Sequence, residues 1–388
     1  MAPEPFRIEV ADDVLDDLRS RLARTRYTQP SDSTHWAAGT DPDYLRELIS
    51  YWANGFDWRK AEAALNRYPH YRAEVAGREL HFVHLRGTRA SNSPAPLPLV
   101  LTHGWPSSFV EMLALADRLT NPAEYVGDPA DAYDVVIPSL PGFLYSAPPQ
   151  DTFTHRGVAQ IWHELMTETL GYQRFGAFGG DIGGKVTQWL GALFPEDVVG
   201  IHTIHPPIAT DFAEQPATPE ERALIDARSA YDLADGGYSE IMCTRPDTIA
   251  AALVDSPAGL LAWIVDKYRD WTDCGGDLET VWDKDAILTV VTLYWATGSI
   301  GSSFRQYYEY ELNKRVTRIT VPTAVTLSNE PSCTNFPRSL TERVCTDLRR
   351  WSTPGHGGHF MAHEAPDQVA RELRSFFGDF NYQRSGTR

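Results

Sequence analysis

The sequence predicts an α/β protein with a mostly parallel sheet, a helical segment inserted late in the chain, and a distinct N-terminal region. Three observations carry this. From Leu97 onward, short apolar runs ending in Gly- or Pro-rich turns alternate with helix-like segments, as they do when strands lie parallel and helices make the crossovers. Between about 207 and 315 the strand signals fade, and Trp263, Val265, Trp282, Leu293, Tyr294, Trp295 and Tyr308 sit in helix-like surroundings. Residues 1 to about 90 read as a separate layer, followed by a stretch rich in Ser, Pro and Gly from Arg86 to Pro98.

Taken in order, Val14, Leu15, Leu18 and Leu22 recur at helical spacing behind Asp12 and Asp13, which suit a helix start. Tyr44, Leu45, Leu48, Tyr51 and Trp52 repeat the pattern. Tyr71 to Arg86 alternates around Ala76-Gly77 and reads as a hairpin. Strands are expected at Leu99–Thr102, Asp134–Ile137, Phe175–Phe178 and Thr323–Leu327. The expected segments are 1–92, 93–206, 207–315 and 316–388.

The 388 residues suffice for a large core. A hydrophobic share of 42% with 22% charged residues is that of a globular chain. The formal charge of −17 argues against nucleic acid or an anionic membrane surface as partner. No apolar run approaches the roughly 18 residues of a membrane span, and the first ten residues lack the basic start and apolar core of a secretory signal. Cys243, Cys274, Cys333 and Cys345 have no close-paired spacing and read as free thiols. A cytoplasmic location, no metal and no cofactor are therefore expected.

The chemistry centres on Gly179-Gly-Asp181-Ile-Gly183, a nucleophile-elbow pattern with Asp in place of Ser. An apolar run enters it and a helix-like run leaves, so the turn is sharp and its glycines leave room for it. A carboxylate needs no base to become a nucleophile, and its attack on carbon makes an ester. That suits a strained ring or an alkyl halide better than an amide. His103-Gly-Trp-Pro106 follows a strand, where such hydrolases draw one oxyanion N–H; the other comes from the residue after the nucleophile. Those amides are Trp105 and Ile182. Gly355-His-Gly-Gly-His359 lies late in the chain, where the order nucleophile, acid, histidine places the base. His359 is favoured there over His356. The acid belongs just after Thr323–Leu327. Glu330 is the nearest carboxylate, and none follows until Glu342.

These motifs together resemble the microsomal-type epoxide hydrolases of the α/β-hydrolase superfamily, over nearly the whole chain. The resemblance rests on Trp52, Phe56-Asp-Trp-Arg59 and Asn66 in the leading region, and on the oxyanion, nucleophile and base motifs. It also draws on Gly237-Tyr238 with Asp255-Ser-Pro and Ala262-Trp-Ile264, and on Tyr294-Trp295 with Tyr308-Glu309. It implies an α/β-hydrolase fold with a helical cap insertion and an N-terminal epoxide-hydrolase-type extension. It implies Asp181 as nucleophile, His359 as base, Glu330 as its partner, and Tyr238 and Tyr308 as ring-opening acids. Two departures stand out. The acid loop reads Leu327-Ser-Asn-Glu-Pro331, and Tyr307 adjoins Tyr308 on a different helix face, so only one can serve. No counterpart of the mammalian microsomal membrane anchor is expected, and the resemblance is greater to soluble bacterial members, some of which act in antibiotic pathways, including enediyne biosynthesis.

The expected activity is hydrolysis of a bulky or aryl-substituted epoxide to a vicinal diol through an Asp-ester, with the epoxide as small-molecule partner. A homodimer stays open. A haloalkane dehalogenase shares the nucleophile and base, but its halide site commonly uses Trp where this chain has Ile182. A serine esterase is disfavoured because Ser107 and Ser108 are not in elbow geometry. A catalytically silent ligand-binding homologue is the reading from another class.

Overall fold

In the computed structural model, residues 2–31, 35–88, 95–149, 152–209, 211–213 and 215–381 are described. The strands are β1 (Glu4–Phe6), β2 (His70–Val75), β3 (Arg78–Leu85), β4 (Pro98–Thr102), β5 (Asp134–Pro138), β6 (Phe175–Gly179), β7 (Val198–Thr203), β8 (Thr323–Thr326) and β9 (Leu348–Ser352). They form one nine-stranded sheet in the order β1-β2-β3-β5-β4-β6-β7-β8-β9. The first three and the β3–β5 pair run antiparallel, and every later pairing is parallel. Strands β4 to β7 are buried throughout, as expected of parallel strands covered on both faces.

The N-terminal region departs from the separate layer expected of it. Its strands extend the main sheet. Its helices α1 (Asp12–Leu22), α2 (Pro42–Asn54) and α3 (Trp58–Leu65) lean instead on the inserted helices. Helix α1 starts on Asp12 and Asp13, ends near Arg19 and Arg21, and buries Leu15, Leu18 and Leu22; those charges complement the helix dipole. The β2–β3 turn has positive φ at both Ala76 (50°) and Gly77 (72°), as a two-residue hairpin of primed type requires. The Ser/Pro/Gly stretch falls partly on 89–94, outside the described residues.

Helix α4 (Leu113–Thr120) and α5 (His155–Glu164) precede α6 (Asp181–Leu193), which leaves the elbow. Between β7 and β8 the chain is helical: α7 (Pro219–Asp235), α8 (Gly237–Thr244), α9 (Pro246–Asp255), α10 (Pro257–Trp271), α11 (Lys284–Thr297), α12 (Ile300–Ser303) and α13 (Arg305–Tyr308). This cap is tied to the N-terminal helices by specific bonds. Trp52 Nε1–H donates to Thr292 (3.0 Å), Tyr51 O–H to Asp285 (2.8 Å), and Arg21 reaches Asp255 at 2.6 Å. The N-terminal region thus clamps the cap over the carboxyl ends of the strands. Among the described residues no single helix is long and apolar enough to cross a membrane. All four cysteines are free.

Candidate active site

Asp181 sits at the end of β6 with φ +51°, a left-handed conformation that non-glycine residues adopt at a cost and that clusters at functional sites. The turn is possible because its neighbours are small. A Cβ on Gly183 would overlap the Thr102 carbonyl, and one on Gly104 would overlap the Asp181 carboxylate. Trp105 N–H donates to Asp181 Oδ1 at 2.9 Å. Ile182 lies in the first turn of α6, where N–H groups have no partner within the helix. The loop after β4 is braced by His103. Its Nδ1 donates to the Gly104 carbonyl (2.9 Å), and its Nε2 accepts from Leu140 N–H (3.2 Å); the tautomer is assigned from these two bonds.

His359 and Glu330 meet as an almost fully buried pair, Nδ1 to Oε2 at 2.6 Å. Two loops make this contact, and both are anchored. Asn329 N–H donates to the Gly357 carbonyl (2.8 Å), joining the Glu330 loop to the His359 loop. Glu364 accepts from the N–H groups of Gly358 (2.8 Å), Phe360 (2.8 Å) and Asp273 (2.9 Å). His359 N–H donates to the Trp271 carbonyl at the end of α10 (2.9 Å), so the cap itself fixes this residue. His356, the weaker alternative, is exposed. Burial opposes charge on His359, but the carboxylates of Glu330 and Asp181 outweigh it and raise its pKa to about 9. Burial opposes charge on Glu330, but the ring N–H groups of His205 and His359 turned toward it outweigh this and hold it well below the usual carboxylate range.

The tyrosines divide differently from expectation. Tyr238, on α8, stacks flat on Trp105 with centroids 5.7 Å apart and planes 7° from parallel. Tyr307, on α13, is buried, edge-on to Trp105 at 5.6 Å and to Tyr238 at 6.1 Å. Tyr308 is 58% exposed. It lines a surface pocket of about 670 Å³ with Pro148, Pro149, Arg245 and Arg305, away from Asp181. The placement of Tyr308 at the site is therefore corrected to Tyr307: neighbouring residues on a short helix project about 100° apart, and Tyr307 is the one turned inward. Burial above all raises both inward tyrosines, and the Asp181 charge adds to it in each; the bond between the two phenols raises Tyr307 and lowers Tyr238. Both keep their protons.

Three groups outside these motifs complete the site. His205, just past β7, accepts the Asp181 N–H on Nδ1 at 2.5 Å and faces Glu330 with Nε2 at 3.1 Å. Its only signal in the sequence is positional, a histidine in the loop at a strand's carboxyl end. Trp271 packs on His359 with centroids 4.7 Å apart. Lys267 lies 5.1 Å from the Tyr238 ring and is bound by Asp235 (3.0 Å), Asp266 (3.2 Å) and Asp270 (3.4 Å).

The titrating groups make stability peak near neutrality. His359 has a raised folded value, so its contribution is complete below its unfolded pKa of about 6.5 and is lost as pH rises to about 9. His84, His103, His155 and His363 are lowered to about 4, and His202 to about 3, mainly by burial. Their contribution is complete above about 6.5 and is lost as pH falls toward those values. Urea unfolding should therefore show stability falling steeply into acid. The difference between wild type and His359→Gln should shrink between pH 6.5 and 9; a constant difference would contradict the charged His359–Glu330 pair.

The arrangement can deliver a carboxylate nucleophile, two phenol donors and a carboxylate-bound imidazole to one small volume. Similarity to known proteins bears on the family and the fold. Residues 3–112 match the family described as epoxide hydrolase N terminus, and 98–231 match the alpha/beta hydrolase fold. A Stigmatella aurantiaca protein with a provisional epoxide hydrolase name is 39% identical, covering 96% of this chain and 84% of its own. Epoxide hydrolase 1 of Sus scrofa is 32% identical, covering 96% and 88%. The crystal structure of juvenile hormone epoxide hydrolase from Bombyx mori superposes with a TM-score of 0.87 at 27% identity, over 99% of this chain and 96% of that one. With this fold, this N-terminal region and relatives this similar along nearly its full length, the chain belongs to the epoxide hydrolases of the α/β-hydrolase superfamily.

Proposed function

We propose that the protein hydrolyses a bulky or aryl-substituted epoxide to a vicinal diol in two covalent steps. The observation that carries this reading is the strained Asp181 carboxylate, gripped by the Trp105 amide and facing a charged His359–Glu330 pair. In the first step an Asp181 oxygen attacks one epoxide carbon and the C–O bond breaks. Tyr238 and Tyr307 hydrogen-bond the departing oxygen, and one phenol protonates it. In the second step His359 takes a proton from water, which attacks the ester carbonyl of Asp181. The amides of Trp105 and Ile182 stabilise the resulting oxyanion. Collapse breaks the ester C–O bond: the leaving alkoxide takes the second proton of the attacking water, releasing the diol, while the Asp181 carboxylate is regenerated and His359 keeps the first proton.

The electrostatics set the order of events. While Asp181 is ionised, its charge helps to keep His359 protonated. Ester formation removes that charge, which lowers the imidazole's affinity for its proton. His359 thus passes its proton through solvent to the phenolate left by ring opening and becomes a base when the ester needs one. The aromatic surround of Trp105, Phe304, Tyr238 and Trp271 supports an aryl or otherwise bulky apolar substituent on the substrate.

A single turnover with styrene oxide in ¹⁸O-water tests the covalent route. Label is expected in the Asp181 carboxylate, with one unlabelled enzyme oxygen transferred to the diol. Label in the diol with none in Asp181 would mean direct attack by water, and the ester reading would fall.

A further inference from the structure

We propose that His205 is a positioning residue for this reaction, holding the strained backbone of Asp181 and the second oxygen of Glu330 in one fixed relation. The inference rests on the two-step ester reading. Three links build it.

The first is the bond to the nucleophile's backbone. Helix α6 begins at Asp181, so the Asp181 N–H has no acceptor within the helix. His205 Nδ1 supplies that acceptor at 2.5 Å. This bond falls on the one residue of the elbow with a positive φ that is not glycine. It therefore fixes the backbone that aims the carboxylate.

The second link is the tautomer. An N–H donates only to a lone pair, so Nδ1 carries no proton and the neutral ring's proton lies on Nε2. That face lies 3.1 Å from Glu330 Oε1, an oxygen that also accepts from Ser332 O–H and Cys333 S–H. His359 holds the other oxygen, Oε2, at 2.6 Å. Glu330 therefore bridges two imidazoles whose centroids are 4.8 Å apart, one facing the water-activating step and one facing the nucleophile's backbone. A protonated His205 would set two donors head to head at Asp181 N–H, so only the neutral ring fits.

The third link is that His205 cannot simply drift. Its carbonyl accepts from Thr203 Oγ1 (2.8 Å) and from Gln188 Nε2 (3.2 Å), its N–H donates to Thr203 Oγ1 (3.2 Å), and it is buried. Gln188 lies on α6, the helix that Asp181 opens. Ring, elbow and acid loop thus form one rigid unit. Misalignment at either end is expected to slow a different step.

Two near-isosteric variants separate the ends. In His205→Asn the amide oxygen can still accept from Asp181 N–H, while the reach to Glu330 is lost. In His205→Gln the terminal amide can still reach Glu330, while the acceptor beside Asp181 is lost. The probe is styrene oxide in rapid-quench single turnovers, with mass spectrometry of the Asp181 peptide. His205→Gln is expected to slow ester formation about tenfold and leave breakdown within about twofold, the size of one well-placed hydrogen bond. His205→Asn is expected to do the reverse, slowing breakdown about tenfold. Equal slowing of both steps in both variants, or no change beyond about twofold, overturns the proposal. If either variant does not fold by circular dichroism, ¹⁵N NMR of histidine-labelled wild type decides. A bare Nδ1 with a protonated Nε2 at His205 is expected, and an Nδ1–H tautomer or an imidazolium overturns it. If wild type forms no ester at Asp181, the two-step reading fails by itself, and the NMR result still judges the His205 geometry.

Discussion

Replacing His359 by Gln is expected to halt turnover by at least ~10³-fold while a hydroxyalkyl ester accumulates on Asp181. The two effects belong together because the proposed base serves only the second step. Asp181 needs no proton removed before it attacks, and its Oδ1 keeps the Trp105 amide whatever stands at 359. Ester formation should therefore persist at a rate near that of wild type. Ester breakdown should stop, because Glu330 cannot take over as base: its histidine partners hold it as a weakly basic carboxylate. Intact-protein mass spectrometry after mixing with styrene oxide should show near-stoichiometric adduct in the variant and little in wild type. A variant that loses turnover without any adduct would place His359 in the first step instead.

Tyr307→Phe is expected to lower kcat about 10²-fold, with Tyr308→Phe remaining within about twofold of wild type. The contrast follows from position. Tyr307 is buried against Trp105 and Tyr238, whereas Tyr308 points to solvent at 58% exposure. Removing one of two donors to the departing oxygen weakens its stabilisation, and the remaining phenol of Tyr238 still supplies a proton. The loss should appear in ester formation and spare ester breakdown. An exposed tyrosine that touches none of these groups has no such leverage. Equal losses for the two variants would mean that α13 turns when substrate binds.

Much of the fold and of the site is legible in the order of the amino acids. The elbow, the oxyanion loop and the base loop are local patterns: each is a few consecutive residues whose small size or order imposes its own backbone path. The hairpin at Ala76-Gly77 and the helix at Asp12–Leu22 are local in the same sense. Strands β1, β7 and β9 carry weaker signals. β1 is three residues long, and β9 is only partly buried and carries Arg349 and Arg350. β7 is set off from α6 by the turn Phe194-Pro-Glu-Asp197, but Gly200 in its interior weakens it as a strand. For the second tyrosine the spacing does hold a clue: Phe304 and Tyr307 are three residues apart and share the inward face.

The proposed reacting groups follow from the chain's own order, because Asp181, His359 and Glu330 each stand in a motif whose chemistry depends on neighbours in sequence. Their surroundings come from contacts between distant segments. Residues 181, 205 and 330 are joined by bonds that no spacing encodes, since β7 and β8 lie side by side while the whole cap intervenes in sequence. The same holds for the N-terminal region. Its strands complete the sheet and its helices grip the cap because both have apolar faces to bury, and those faces are covered only in the folded molecule.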